Sequence, residues 1–116
     1  MLTVYGIKQC DTCKKAVRWL TQQGIEHRFH DLRDEGLDPN TLQDWLTSEF
    51  SGVLVNRRST TWRQLDGNQR QALEVGGLDI LMKHPTLIKR PVFTAPQEIA
   101  VGFNAATVAR VLEHAR

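Results

Sequence analysis

The sequence predicts an α/β fold: a strand–helix–strand unit, a mainly helical block, and a closing strand–strand–helix unit. Three observations predict it. Leu2 to Tyr5 is a short apolar run stopped by Gly6, and an apolar stripe at helical spacing follows it. Glu26 to Leu32 reads as a second, more polar strand around Phe29. Near the end, Pro91 to Thr94 and Ile99 to Phe103 read as two strands joined by a turn through Pro96, and a last helical pattern follows them.

Each element has its own signal. The first helix is expected from Asp11 to Gln23, with Cys13, Ala16, Val17 and Leu20 as its apolar stripe and Gly24 as its stop. The flanking strands should pair in parallel through a right-handed crossover. Asp38-Pro39 reads as an N-cap followed by proline in the first helical turn. That helix carries Leu42, Trp45 and Leu46 inward. A short apolar run, Val53-Leu54-Val55, and a polar stretch, Asn56 to Thr61, come next. Helical pattern resumes from about Asp66 to Val75 and from Leu78 to Lys83, with Gly76-Gly77 between the pieces and Pro85 ending the second. Pro91 suits the first position of a strand, since it cannot donate to the ladder. The last helix is expected from about Ala105 to His114, burying Val108, Val111 and Leu112.

At 116 residues the chain can bury one hydrophobic core without metals or disulfide staples. Residues 1–116 are expected to form one domain, with the helical block as an insertion on the same core. The charge of +2 points to neither nucleic acid nor a membrane surface as a partner. No apolar stretch nears the ~20 residues that span a bilayer, and the start Met1 to Gly6 lacks the basic and long apolar regions of a signal peptide. The cytoplasm is the expected compartment, and a monomer the expected state.

The two cysteines, Cys10 and Cys13, are spaced C-x-x-C. In a reducing compartment such a pair points to catalysis or metal binding, and a loop this short would staple little. The thiolate is the reactive form of cysteine. The first turn of a helix supplies unpaired N–H groups and the positive end of the helix dipole. Cys10, at about the N-cap, gains most from both. Cys13 lies one turn further on the same side, close enough to attack a mixed disulfide on Cys10. Lys8 and Lys14 add positive charge, and Asp11 opposes it. The alternative is two ordinary small residues near a helix start. Zinc would need more ligands, and His27, His30, His84 and His114 show no ligand spacing with the cysteines.

Arg90-Pro91 stands where a β-α-β…β-β-α fold places a cis-proline loop facing the redox cysteine. A guanidinium there would lower the thiolate pKa and bind an oxyanion or carboxylate in a bidentate fork. A surface arginine beside a strand-start proline is the alternative. Arg57-Arg58-Ser59-Thr60-Thr61 reads equally as an anion cradle or as a solvated loop.

Tyr5-Gly6-Ile7-Lys8-Gln9-Cys10-Asp11-Thr12-Cys13-Lys14-Lys15-Ala16, continuing through Val17-Arg18-Trp19-Leu20, resembles the signature of the arsenate reductase (ArsC) family, closest to its YffB and Spx branch. Phe29-His30-Asp31, the stretch from Arg58 to Leu65, the stretch from His84 to Pro91, and Val101-Gly102-Phe103 fit the same branch in the same order. The resemblance implies a thioredoxin-like fold with a helical insertion. It implies Cys10 as nucleophile and Arg90, before a cis-proline, as a pocket residue. It also brings Arg58, or Arg57 in its place, toward the pocket. Arsenate-reducing members attack arsenate with the cysteine and are regenerated by glutathione and glutaredoxin.

Two departures bear on the activity. Arsenate reductases of this type carry a third arginine near the last strand, where this chain has Val101-Gly102-Phe103-Asn104. They also lack the second cysteine that this chain shares with Spx. The expected catalytic residues are therefore Cys10, Cys13 and Arg90, and the expected substrate-binding residues Arg58, Arg57, Lys8 and Pro91. No metal and no bound cofactor are expected. The expected function is a glutathione-dependent thiol–disulfide oxidoreductase, with glutathione as co-substrate. Its expected partners are glutathione or a glutaredoxin, and a small-molecule or protein disulfide. The alternatives are an arsenate reductase and an Spx-like redox regulator that binds RNA polymerase. Such regulators continue beyond the last helix, and a stop at Arg116 favours the enzyme.

Overall fold

Alternation decides the first strand: Leu2, Val4 and Gly6 are buried while Thr3 and Tyr5 are half-buried, as side chains of a strand point to opposite faces in turn. The computed structural model describes residues 2–74, 77–96 and 98–115. Its elements are β1 (Leu2–Gly6), α1 (Asp11–Gln22), β2 (His27–Asp31), α2 (Pro39–Leu46), α3 (Thr60–Gln64), α4 (Gly67–Glu74), α5 (Leu78–Lys83), β3 (Val92–Ala95), β4 (Glu98–Val101) and α6 (Ala105–Ala115), with 3-10 turns at Ser51–Val53 and Pro85–Leu87. They divide into two compact units, one from the chain up to Gly36 and from Arg90 onward, the other from Leu37–Lys89.

The first unit holds the sheet, in the order β2-β1-β3-β4. β1 is parallel to β2 and antiparallel to β3, and β4 is antiparallel to β3. Val4 sits opposite Phe29 on one side and Phe93 on the other. β1 is thus an inner strand, and the loop after it leaves from the middle of the sheet, at the carboxyl end where open α/β sheets carry their sites. The core gathers Leu2, Val4, Ala16, Leu20, Phe93 and Val111, with Trp19, Ile25 and Phe103 partly buried against it. Of the predicted stripe, α1 buries Cys13, Ala16 and Leu20, while Val17 is half-buried.

β2 is one residue shorter at each end than expected, β3 starts at Val92 just after Pro91, and two further expectations in this unit shift. β4 ends at Val101 and not Phe103, because Gly102 takes φ +87°, a value side chains disfavour, and turns its N–H to Pro91 O at 2.8 Å. In α6, Val111 is buried but Val108 and Leu112 are only half-buried; the second buried residue is Thr107. Thr107 N–H donates to Asn104 Oδ1 at 3.0 Å and Asn104 N–H donates to Thr107 Oγ1 at 2.9 Å. This reciprocal cap turns the threonine inward at the helix start.

In the second unit, α2 begins as its signal predicts. Asp38 Oδ1 accepts the Asn40 N–H at 3.3 Å, and Pro39 opens the helix. Leu42 and Trp45 are buried, and Leu46 is half-buried. The run Val53-Leu54-Val55 is no strand. Leu54 is buried, Val53 is 48% exposed, and Val55 makes one antiparallel bridge to Ile88. The polar stretch also holds a helix start, since Ser59 Oγ accepts the Trp62 N–H at 3.1 Å and caps α3. α4 starts behind a capping pair in which Asp66 Oδ1 accepts from Gln69 N–H at 2.8 Å and Gln69 Oε1 from Asp66 N–H at 3.0 Å. Val75 and Gly76, named for the end of this helix, lie outside the described residues. Among the described residues no helix is long and apolar enough to cross a membrane.

Candidate active site

β1 ends in a glycine for a spatial reason. A Cβ at Gly6 would stand 2.6 Å from Cys13 Sγ and 3.2 Å from Phe29 Cε1, so only glycine leaves room for the second thiol. The chain then turns, with the Cys10 N–H donating to Ile7 O at 3.0 Å. Cys10 has extended backbone (φ −82°, ψ 118°), and its carbonyl accepts the Lys14 N–H at 3.0 Å. Cys10 is therefore the N-cap of α1. Both cysteines are free thiols; Cys10 is half-buried and Cys13 is 1% exposed.

Burial raises the Cys10 pKa, but opposing groups outweigh it and the net shift is downward. These are the Cys13 N–H, the Cys13 thiol and the Arg90 guanidinium, which hydrogen-bonds to the sulfur and adds its charge. The Cys13 N–H acts through its dipole, as its geometry falls short of a capping hydrogen bond. Cys13 moves the other way. Burial pushes its thiol up to about 12, and the neighbouring Cys10 adds to the rise. One sulfur is held toward the anion and the other holds its proton, so the protonated Cys13 is a hydrogen-bond donor to a Cys10 thiolate. Arg90 stands directly before Pro91, and the Arg90–Pro91 peptide bond is cis. Cys10, Cys13, Arg90 and Pro91 all belong to the first unit.

Lys8 sits in the same loop but is otherwise engaged: its Nζ donates to Asp34 Oδ2 at 2.8 Å, and both side chains are exposed. Arg57 and Arg58 belong to the second unit. The Arg57 guanidinium lies 5.6 Å from the Trp62 ring centroid, and Arg70 packs at 5.1 Å from it. Arg58 is exposed, with its backbone N–H donating to Asn56 Oδ1 at 3.1 Å. The hydroxyls read as part of an anion cradle are largely committed: Ser59 Oγ donates to Asn56 O, and Thr61 Oγ1 shares a hydrogen bond with Thr86 Oγ1. Among the described residues no three His, Cys, Asp or Glu side chains cluster to hold a metal ion.

Sequence reasoning named Asp31 only within the Phe29-His30-Asp31 motif and gave it no role. It is 3% exposed at the end of β2. Its Oδ2 accepts the Lys8 N–H at 2.9 Å, and its Oδ1 accepts the N–H groups of Arg33 at 2.8 Å and Asp34 at 2.9 Å. Burial raises its pKa, yet these N–H groups and the Lys8 charge lower it further, so it stays ionised. Asp31 thus ties the loop before Cys10 to the neighbouring strand. That motif and a carboxylate closing a polar strand were the available signals, and its partners are backbone groups that no side-chain pattern marks.

The model of the ArsC family matches residues 5–111. An uncharacterised protein of Haemophilus influenzae is 50% identical over 105 residues, covering 90% of this chain and 92% of the relative. The global transcriptional regulator Spx of Streptococcus pyogenes is 26% identical over 106 residues, covering 90% and 79%. Among solved structures, the YffB protein superposes with a TM-score of 0.87 at 35% identity, covering 97% of this chain and 99% of that one. These similarities agree with the thioredoxin-like α/β fold and with the YffB- and Spx-like motifs.

Proposed function

The chain belongs to the ArsC family, in its YffB- and Spx-like branch, and from that premise we propose that it is a thiol–disulfide oxidoreductase with Cys10 as nucleophile and glutathione as co-substrate. The observation that carries this reading is the opposite treatment of the two thiols, Cys10 lowered and Cys13 raised to about 12. In this reading the Cys10 thiolate attacks a disulfide sulfur, a mixed disulfide forms on Cys10, and the other half leaves as a thiolate. Cys13 or a glutathione thiol then resolves the mixed disulfide, and glutathione or a glutaredoxin restores the reduced protein. Arg90 steadies the thiolate and, beside Pro91, receives a carboxylate or other anion. The protein is read as a cytoplasmic monomer without a bound cofactor.

Charge separates this reading from arsenate reduction. Arsenate and the thiolate are both anions, and joining them requires several fixed cations. No arginine stands in Val101-Gly102-Phe103-Asn104. A lost charge-assisted hydrogen bond of roughly 1.5–3 kcal/mol corresponds to about ten- to a hundredfold in rate. A disulfide presents a neutral sulfur and escapes this cost. Steady-state kinetics with glutathione and glutaredoxin as donors are expected to show turnover of a glutathione mixed disulfide well above that of arsenate. Arsenate turnover equal to or above it restores the arsenate reductase reading. The similarity to Spx favours one second reading, a redox regulator of transcription; stoichiometric capture of purified RNA polymerase would favour that one.

A further inference from the structure

Beside the cysteine pair lies a groove of about 320 Å3 that the reaction described above does not use. Ile7, Cys13, Val17 and Phe29, all buried or half-buried, give it an apolar lining. Lys8, Lys14 and Arg18 are exposed and complete it. Lys8 is neutralised by Asp34. Among the described residues, Lys14 and Arg18 have no ion-pair partner. The groove therefore combines apolar walls with two uncommitted cations.

Its direction follows from helix geometry. Cys10, Lys14 and Arg18 are spaced i, i+4, i+8, so they form one row down a face of α1. At 1.5 Å per residue, Arg18 lies about 12 Å along the axis from Cys10. A group joined to the Cys10 sulfur and laid along this face reaches the groove within one or two turns. A volume of about 320 Å3 holds one ring or branched chain with an acid group, and is at the small end for ligand sites.

We propose that this groove seats the apolar, carboxylate-bearing half of a small disulfide substrate, with its ring against Val17 and Phe29 and its carboxylate against Lys14 and Arg18. This rests on the reading of Cys10 as the disulfide-attacking thiol. Burial of the ring supplies affinity, and the two cations select the acid over a neutral analogue. In the chemical step the Cys10 thiolate attacks the sulfur that carries the seated half. The Cys10–sulfur bond forms as the substrate's sulfur–sulfur bond breaks. The other half leaves with the electron pair as a thiolate and takes a proton from water. The substrate disulfide is itself the oxidant, so no further co-reactant is needed.

The test measures the first equivalent of thiolate released from three disulfides: dithiobis-nitrobenzoate (aromatic, anionic), dithiodipyridine (aromatic, neutral) and hydroxyethyl disulfide (small, neutral). Each rate is divided by that of free glutathione with the same disulfide. K14Q/R18Q is expected to slow dithiobis-nitrobenzoate by about fivefold and to leave the two neutral disulfides within about twofold. The pair K15Q/R33Q removes the same charge elsewhere and should leave all three within about twofold. Val17→Thr should slow both aromatic disulfides and spare hydroxyethyl disulfide. Equal slowing of all three, slowing by the control pair as large as that by K14Q/R18Q, or no slowing overturns the groove assignment alone. A wild-type Cys10 that reacts with none of the three overturns the reading of Cys10, and the groove assignment with it.

Discussion

Cys10→Ser is expected to lower reduction of a glutathione mixed disulfide by about a thousandfold or more, as removal of a covalent nucleophile does elsewhere. A serine hydroxyl is not ionised near neutral pH, and the groups around Cys10 are arranged for an anion. The Cys13 N–H and thiol and the Arg90 guanidinium would face a neutral, weakly nucleophilic oxygen. Cys13 does not rescue the reaction, since its thiol is 1% exposed and pushed up to about 12. Cys13→Ser should keep the first attack on a disulfide within about tenfold of wild type, because a hydroxyl can still donate to the Cys10 sulfur. Stopped-flow measurement of thiol release from both variants checks the pair. Activity retained in Cys10→Ser and lost in Cys13→Ser would reverse the assignment of the two sulfurs.

The second large effect concerns Asp31, where two influences on Cys10 oppose each other. Asp31→Ala leaves three backbone N–H groups without their acceptor, which costs about 3 kcal/mol and, for a chain of this size, about 10 °C in Tm. Asp31→Asn is more selective. Its amide oxygen can keep the Arg33 and Asp34 N–H groups, which share one oxygen in Asp31, while its NH2 then faces the Lys8 N–H and cannot accept from it. Loss of a negative charge should make the Cys10 thiolate easier to form. Release of the loop before Cys10 should make it harder. We expect the loop to dominate, so that Asp31→Asn raises the Cys10 pKa. A lowered pKa with unchanged geometry would show that Asp31 acts through its charge alone. The pH dependence of stability has a definite sign. The folded pKa of Asp31 lies below its usual value, so its contribution is fully present above the unfolded pKa, near 3.9, and is lost as pH falls through the folded pKa. Acid unfolding of wild type should show this loss, and Asp31→Asn should lack that part of it.

The elements with local signals were legible before the structure. Leu2 to Gly6, the start of α1 at Cys10, and the Asp38-Pro39 cap are written in short, directional patterns that tertiary contacts do not override. The sequence also pointed to a cis-proline loop at Arg90–Pro91, and that peptide bond is cis. The errors arise where a side chain serves the backbone. Ser59 starts α3 inside a stretch that read equally as an anion cradle or a solvated loop. Thr107 is buried because it caps α6, which moves the buried face off Val108. Lys8 looked like a charge for the thiolate but spends itself on Asp34, 26 residues away in sequence. The role of Asp31 was invisible for the converse reason, since its partners are N–H groups that every residue but proline carries.

The central claim is that Cys10, and not Cys13, is the thiol held in its reactive form. The most direct measurement is alkylation with iodoacetamide across pH, read by mass spectrometry of the peptides carrying each cysteine. Cys10 is expected to label first, with a midpoint below that of an ordinary thiol, near 8.5, and Arg90→Ala should move that midpoint up because the guanidinium is among the groups that lower it. Cys13 should stay unlabelled until strongly alkaline pH or unfolding. Preferential labelling of Cys13 near neutral pH, or a Cys10 midpoint at or above that of a free thiol, would contradict the account.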